Sequence, residues 1–139
     1  MIAVAREFLD TNVLIYAFVD DPRAAVAQEI LKRGCDISVQ VLNEFAHVAR
    51  RKLGLNWSEL SSALAAIKTL CSTIHPLDLG VHERALALSE RYRFSIYDAA
   101  IVAAALTAGC NLLHSEDMQH GLEVEGLLRI NNPFRPTRP

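Results

Sequence analysis

The sequence predicts an α/β fold in which a mainly parallel sheet of about five strands is covered by helices on both faces. Short β-like segments alternate with longer helical ones along the whole chain, which is the pattern of βαβ units. At 139 residues and 51% hydrophobic, the chain has the length of one ordinary domain of about 100 to 200 residues. It can bury a core without disulfide or metal staples. No internal repeat, low-complexity tract or linker divides it. Residues 1–139 are therefore expected to form a single domain, with 132–139 as an extended Pro-containing tail.

The elements follow in order. Arg6 to Leu9 reads as the first strand, and Asn12 to Val19 as a short helix carrying Leu14, Ile15 and Phe18. Asp20-Asp21-Pro22 ends that helix and starts another, since Asp caps free N–H groups and Pro suits a first turn; Gly34 stops it. Ile37 to Val39 is a second strand, followed by a helix from Val41 to Leu53 with Val41, Leu42, Phe45, Val48 and Ala49 on one stripe. Asn56-Trp57-Ser58-Glu59 carries capping-box chemistry ahead of a helix reaching about Cys71, with Trp57 expected to anchor packing at its start. Thr73 to His75 is a third strand, Val81 to Tyr92 a helix, and Ser95 caps a helix from Ile96 to Ala108. Asn111 to His114 and Leu128 to Ile130 complete the strands, and the prolines after Asn132 end regular structure.

Composition excludes several classes of function. Fourteen Lys and Arg against sixteen Asp and Glu give a net charge of -2, so no broad basic field marks a nucleic-acid binder. Eleven of the fourteen cations are Arg, the better fork for phosphate. Cys35, Cys71 and Cys110 are odd in number and lack a CxxC pair, which argues against a disulfide framework or zinc knuckle and for a reducing, cytoplasmic setting. The apolar start, Met1 to Ala5, is too short for a signal peptide. The run Ala99 to Leu106 falls far below the ~20 residues of a membrane span, so no membrane association is expected.

The acids carry the chemistry. Asp10 follows the first strand, Glu44 lies early in the helix after the second, Asp98 opens the Ala-rich helix, and Asp117 follows the fourth strand. In a parallel sheet these positions converge at the carboxyl ends of the strands, where ligands of open α/β sheets bind. Converging carboxylates repel one another unless a cation neutralises them. An all-oxygen set suits Mg²⁺ or Mn²⁺, which activates water and steadies the leaving oxygen of a phosphodiester. Each acid also has a structural reading, as a strand-to-helix cap, a capping-box partner, a first-turn acid or a solvated turn. Those readings leave unexplained why the almost wholly apolar 96–106 helix carries one acid at its N-terminal end.

The segments Phe8-Leu-Asp-Thr-Asn-Val-Leu-Ile-Tyr-Ala, Val41-Leu-Asn-Glu-Phe, Tyr97-Asp-Ala-Ala-Ile-Val-Ala-Ala-Ala and Leu113-His-Ser-Glu-Asp-Met-Gln-His-Gly resemble, in order, the four motifs of PIN-domain ribonucleases of the VapC toxin type. The resemblance implies a three-layer α/β/α sandwich, Mg²⁺- or Mn²⁺-dependent hydrolysis of RNA, a homodimer, and a cognate antitoxin protein that blocks the site. It assigns Asp10, Glu44, Asp98 and Asp117 as metal-binding catalytic acids, with Asn12 and Ser115 as supporting polar groups. Glu116 is a supporting or alternative ligand beside the favoured Asp117. Thr11 is either an organiser of water at the metal or a turn residue. Which RNA is cleaved is not readable.

Other residues carry weaker signals. Arg50-Arg51-Lys52 suits RNA phosphates, or a solvated helix end complementing the dipole; Arg135 and Arg138 could likewise touch RNA from the tail. Trp57 and Tyr97 could stack on bases. Glu44-x-x-His47 and Asp117-x-x-His120 have the spacing of a di-iron carboxylate motif, but such sites belong to long-helix bundles. His75 and His114 fall in strands, where hydrogen bonds would satisfy them. A phosphoacceptor receiver domain would need a late lysine, and the last here is Lys68. The remaining alternative is a catalytically inactive PIN-like module that binds RNA or protein.

Overall fold

Strand β1 (Glu7–Leu9) lies inside a six-stranded sheet, and the computed structural model describes residues 6–136 of the chain. The Met1 to Ala5 stretch, Arg138 and Pro139 lie outside the described residues. The other strands are β2 (Asp36–Ser38), β3 (Thr73–His75), β4 (Leu112–His114), β5 (Glu123–Val124) and β6 (Leu128–Asn131), in the order β3-β2-β1-β4-β6-β5. Every pairing is parallel except β5 with β6. The helices are α1 (Thr11–Tyr16), α2 (Ala24–Lys32), α3 (Val39–Arg51), α4 (Trp57–Leu70), α5 (Leu79–Tyr92) and α6 (Ile96–Thr107). Phe8 and Leu9, consecutive in β1 and so on opposite faces of the sheet, are both fully buried. Helices thus cover both faces, giving the three-layer α/β/α arrangement.

The sheet has six strands rather than about five. The extra strand, β5, forms a hairpin with β6 through Glu125 and Gly126, both at positive φ. Two residues are too short to show a period. The helix after β2 begins at Val39, not Val41, because Ser38 ends the strand and its Oγ caps the Val41 N–H; the cap outweighs the β preference of Val39. Asp21 does not cap α2. Its carboxylate receives the Arg23 N–H at 2.8 Å and the Arg23 guanidinium, closing a turn one step earlier. Asn56 and Glu59 do form the reciprocal capping box of α4. Trp57 is not a packing anchor: at the first position of α4 it is 68% exposed.

The core is continuous through sheet and helices. Residues 99–106 of α6 are buried at every position, as an all-round apolar helix requires. The alanines among them, at 99, 100 and 103–105, let α6 approach its neighbours closely. Ala103→Leu, at a position with no exposed surface, is expected to destabilise the protein by about 1–3 kcal/mol through overpacking, measured by denaturant unfolding. The strand histidines are satisfied, His75 by Asp36 at 2.9 Å and His114 by Glu7 and Asn131. Cys35, Cys71 and Cys110 are free and buried. Among the described residues no helix is long and apolar enough to cross a membrane.

Candidate functional site

The sheet order places β1 between β2 and β4, so chain connections diverge beside the carboxyl end of β1 and open a crevice there. Asp10 is the residue at that end. Its N–H continues the ladder to the His114 carbonyl at 2.9 Å, while its carboxylate caps α1 by accepting the Thr11 N–H at 2.7 Å. The parallel register that pairs Leu9 with His114 sets Ser115 beside Asp10. Ser115 Oγ donates to Asp10 Oδ2 at 2.8 Å and itself accepts the Met118 N–H. Asn12 Nδ2 reaches the same Oδ2 at 3.4 Å.

Asp10 is only 4% exposed. Burial pushes its pKa up to about 7, against the Ser115 and Thr11 hydrogen bonds that favour the ion, and the charges of Asp98 and Glu44 raise it further. Asp98 sits in the first turn of α6, whose cap Ser95 accepts the Asp98 N–H at 3.1 Å. Its pKa is raised as well, first by burial and then by Glu44 and Asp117. Glu44 comes from the second turn of α3 and accepts from Thr11 Oγ1 at 3.1 Å and Gln40 Nε2 at 2.7 Å.

Asp10, Glu44, Asp98 and Asp117 therefore line one cavity of about 340 Å³, together with Thr11, Asn12, Tyr16 and Lys52. Glu116 is turned away. Its carboxylate receives the Tyr16 hydroxyl at 2.6 Å and Arg23 Nη1 at 3.0 Å, and its N–H donates to Asn12 Oδ1. Sequence reasoning missed Gln40, Tyr16 and Arg23, whereas Lys52 belongs to the basic run read as suited to RNA phosphates, and the structure places it in the cavity lining. Gln40 carries a legible signal, four residues before Glu44 on the same helix face; Tyr16 and Arg23 meet Glu116 only through the fold.

The donor set suits a hard divalent cation: four carboxylates, with no His or Cys in the cavity lining, and two of them, Asp10 and Asp98, whose pKa values are raised first by burial and then by neighbouring carboxylates whose charge a cation would offset. Among the described residues no three His, Cys, Asp or Glu side chains are already gathered as a ligand cluster. Asp10 and Glu44 rest instead on the hydrogen bonds of Ser115, Thr11 and Gln40.

A family model described as PIN domain matches residues 8–121, which include all four acids. No curated protein matches the sequence. Among solved structures, a toxin–antitoxin complex from Klebsiella pneumoniae is similar with a TM-score of 0.72 at 20% identity, covering 94% of this chain and 99% of that one. VapC20 of Mycobacterium tuberculosis, a sarcin–ricin loop cleaving toxin, is similar with a TM-score of 0.66 at 21% identity, over 80% of this chain and 89% of that one. VapBC2 from Rickettsia felis, bound to a promoter DNA fragment, gives a TM-score of 0.65 at 18% identity, over 91% and 97%. At these identities the likeness is one of fold.

Proposed function

The chain belongs to the PIN-domain family, and from that premise we propose that it is a Mg²⁺- or Mn²⁺-dependent ribonuclease, the toxin of a toxin–antitoxin pair. The observation that carries this reading is the convergence of Asp10, Glu44, Asp98 and Asp117, from four separate segments, on one cavity. RNA is the substrate, the active form is a homodimer in the cytoplasm, and a cognate antitoxin holds it inactive; the similarity to toxin–antitoxin assemblies supports the antitoxin partner.

Asp10, Glu44, Asp98 and Asp117 would hold the cation. When bound, it supplies charge neutralisation, a more acidic water and stabilisation of the leaving oxygen of the phosphodiester. The protein's own groups set up the rest. Ser115 and the Thr11 N–H fix the Asp10 carboxylate at the sheet edge, and Thr11 with Gln40 fixes Glu44. Burial, aided by the charges of Asp98 and Glu44, raises the Asp10 pKa to about 7, so a cation held there would compete with that proton. Lys52, at the cavity wall, offers a positive charge to the backbone of the strand being cut.

The roles of the adjacent acids separate by substitution. Asp117→Asn is expected to lower cleavage at least tenfold more than Glu116→Gln, since ligand loss costs more than loss of a supporting contact. Glu116→Gln should instead lower the melting temperature, because Tyr16 and Arg23 lose their carboxylate partner. Equal losses of activity would contradict the distinction, and a larger loss in Glu116→Gln would reverse the assignment.

The reading as a whole is tested by incubating the purified, antitoxin-free chain with RNA and Mg²⁺ or Mn²⁺, with and without EDTA. Cleavage that requires the metal is the expected result. Cleavage unchanged in EDTA would overturn the metal-dependent mechanism. Failure to cut any RNA would replace the nuclease by an inactive PIN-like binding module.

A further inference from the structure

The acid cavity is the first of three neighbouring cavities along α3. It shares Glu44 and Val48 with a second cavity of about 510 Å³ that is also lined by Asn43, His47 and Tyr97. That cavity shares His47 with a third, of about 390 Å³, bounded by Arg50, Arg51 and Trp57. Glu44, His47, Val48 and Arg51 recur at the three- and four-residue spacing of one helix face. At 1.5 Å per residue the strip from Glu44 to Arg51 is about 10 Å long.

Its chemistry changes from end to end. Without a cation the four carboxylates at one end repel a phosphate backbone and Lys52 is the one base in that lining to offset them, so metal-free affinity for RNA needs a further surface. The far end supplies the opposite character. The Arg50 guanidinium lies 4.1 Å from the centre of the Trp57 ring, held there by its hydrogen bond to the Leu55 carbonyl at 2.8 Å. Trp57 is nevertheless 68% exposed, so most of its surface meets solvent although Arg50 lies over the ring. Tyr97, one residue before Asp98, is 66% exposed. Burial of apolar surface accounts for neither ring. Open aromatic faces interleaved with arginine along a groove are how proteins hold single-stranded nucleic acid, each ring stacking one base.

We infer that the α3 strip binds the single-stranded RNA flanking the scissile phosphate, Tyr97 stacking a base beside the acids, the Arg50–Trp57 pair a base further along, and Arg51, at that same far end, meeting the backbone. The inference rests on the ribonuclease reading for the identity of the strand, and its test does not depend on cleavage. Trp57 is the chain's single tryptophan, so its emission reports directly on stacking at the far end.

The full chain is titrated in EDTA, which keeps the probe intact, with oligouridylate and oligoadenylate of about eight nucleotides, within the span such grooves cover. Trp57 emission is followed, together with the anisotropy of end-labelled copies. The expected result is quenching by the single strands and not by an RNA duplex of equal length. Binding should weaken about tenfold in each of Trp57→Ala and Tyr97→Ala, and Arg51→Ala should weaken it with a shallower salt dependence. Single strands that bind with unchanged Trp57 emission and equal affinity for the variants would overturn the strip and leave the nuclease reading standing. Quenching without any cleavage in Mg²⁺ or Mn²⁺ would do the reverse. A strip that binds no RNA, or whose emission answers only to the antitoxin, would also overturn the inference.

Discussion

Replacing Asp98 by Asn is expected to lower metal-dependent RNA cleavage at least a hundredfold while leaving the fold intact. The side chain is half-buried at the first turn of α6, where its backbone N–H, not its carboxylate, makes the cap to Ser95. Asn retains that N–H and nearly the same volume. What it loses is one of the charges that face Glu44 and Asp117 across the cavity. Loss even of groups that support a metal ligand typically costs 10- to 100-fold, and Asp98 is assigned as a ligand. Single-turnover cleavage at saturating Mn²⁺, with circular dichroism as the fold control, measures the effect. Activity within threefold of the unsubstituted chain would remove Asp98 from the site.

Asp10→Asn is expected to abolish cleavage and at the same time stabilise the metal-free protein. A carboxyl that loses its proton near pH 3.8 when unfolded keeps it to about pH 7 when folded. The native state therefore binds the proton more tightly. Its contribution is greatest below about pH 4, is lost progressively as pH rises, and is gone above about pH 7. The interval from 3.8 to about 7 corresponds to about 4 kcal/mol between the two protonation states. Asn avoids the buried charge and can still accept the Thr11 N–H, though its NH₂ then faces Ser115 Oγ, which must accept instead of donate, and Asn12 Nδ2, whose 3.4 Å contact is lost. A net gain of about 2 kcal/mol at pH 8 is expected, shrinking towards zero near pH 4. Urea unfolding of both proteins in EDTA at several pH values reads this directly. A destabilised variant at pH 8 would mean that the carboxylate is worth more to the fold than its burial costs.

These two acids were also the most legible features of the sequence, for the same physical reason. A strand end and a helix cap are local events, so Asp10 and Asp98 could be placed from a few neighbouring residues, and the parallel sheet then fixes where they meet. The buried α6 helix and the Asn56–Glu59 box were likewise written in short-range pattern. What stayed hidden depends on contacts distant in sequence. Glu116 and Asp117 are adjacent in the chain, and only the fold brings Tyr16 and Arg23 to Glu116 and leaves Asp117 facing the cavity. The β5 strand is two residues long and has no periodicity to read. Trp57 looked like a packing residue because large aromatics usually are; its exposure follows from its position at the outer corner of α3 and α4, where Arg50 covers one face.

The net charge of -2 also reads differently once the acids are located. Four of the sixteen acids face one cavity, so the rest of the surface carries a slight excess of bases, weighted to arginine. Once a cation neutralises the acidic centre, the arginine- and aromatic-lined strip beside it suits the proposed polyanionic substrate.

The central claim is that Asp10, Glu44, Asp98 and Asp117 hold a divalent cation as one site. Calorimetric titration of Mn²⁺ into the purified chain near pH 6, repeated in two buffers of different ionisation enthalpy, tests it most directly. Saturable binding that releases a proton, as Asp10 gives up the one it retains to about pH 7, and that disappears in an Asp10→Asn, Asp98→Asn double variant, is the expected result. Equal Mn²⁺ uptake by the double variant, or none by the unsubstituted chain, would contradict it.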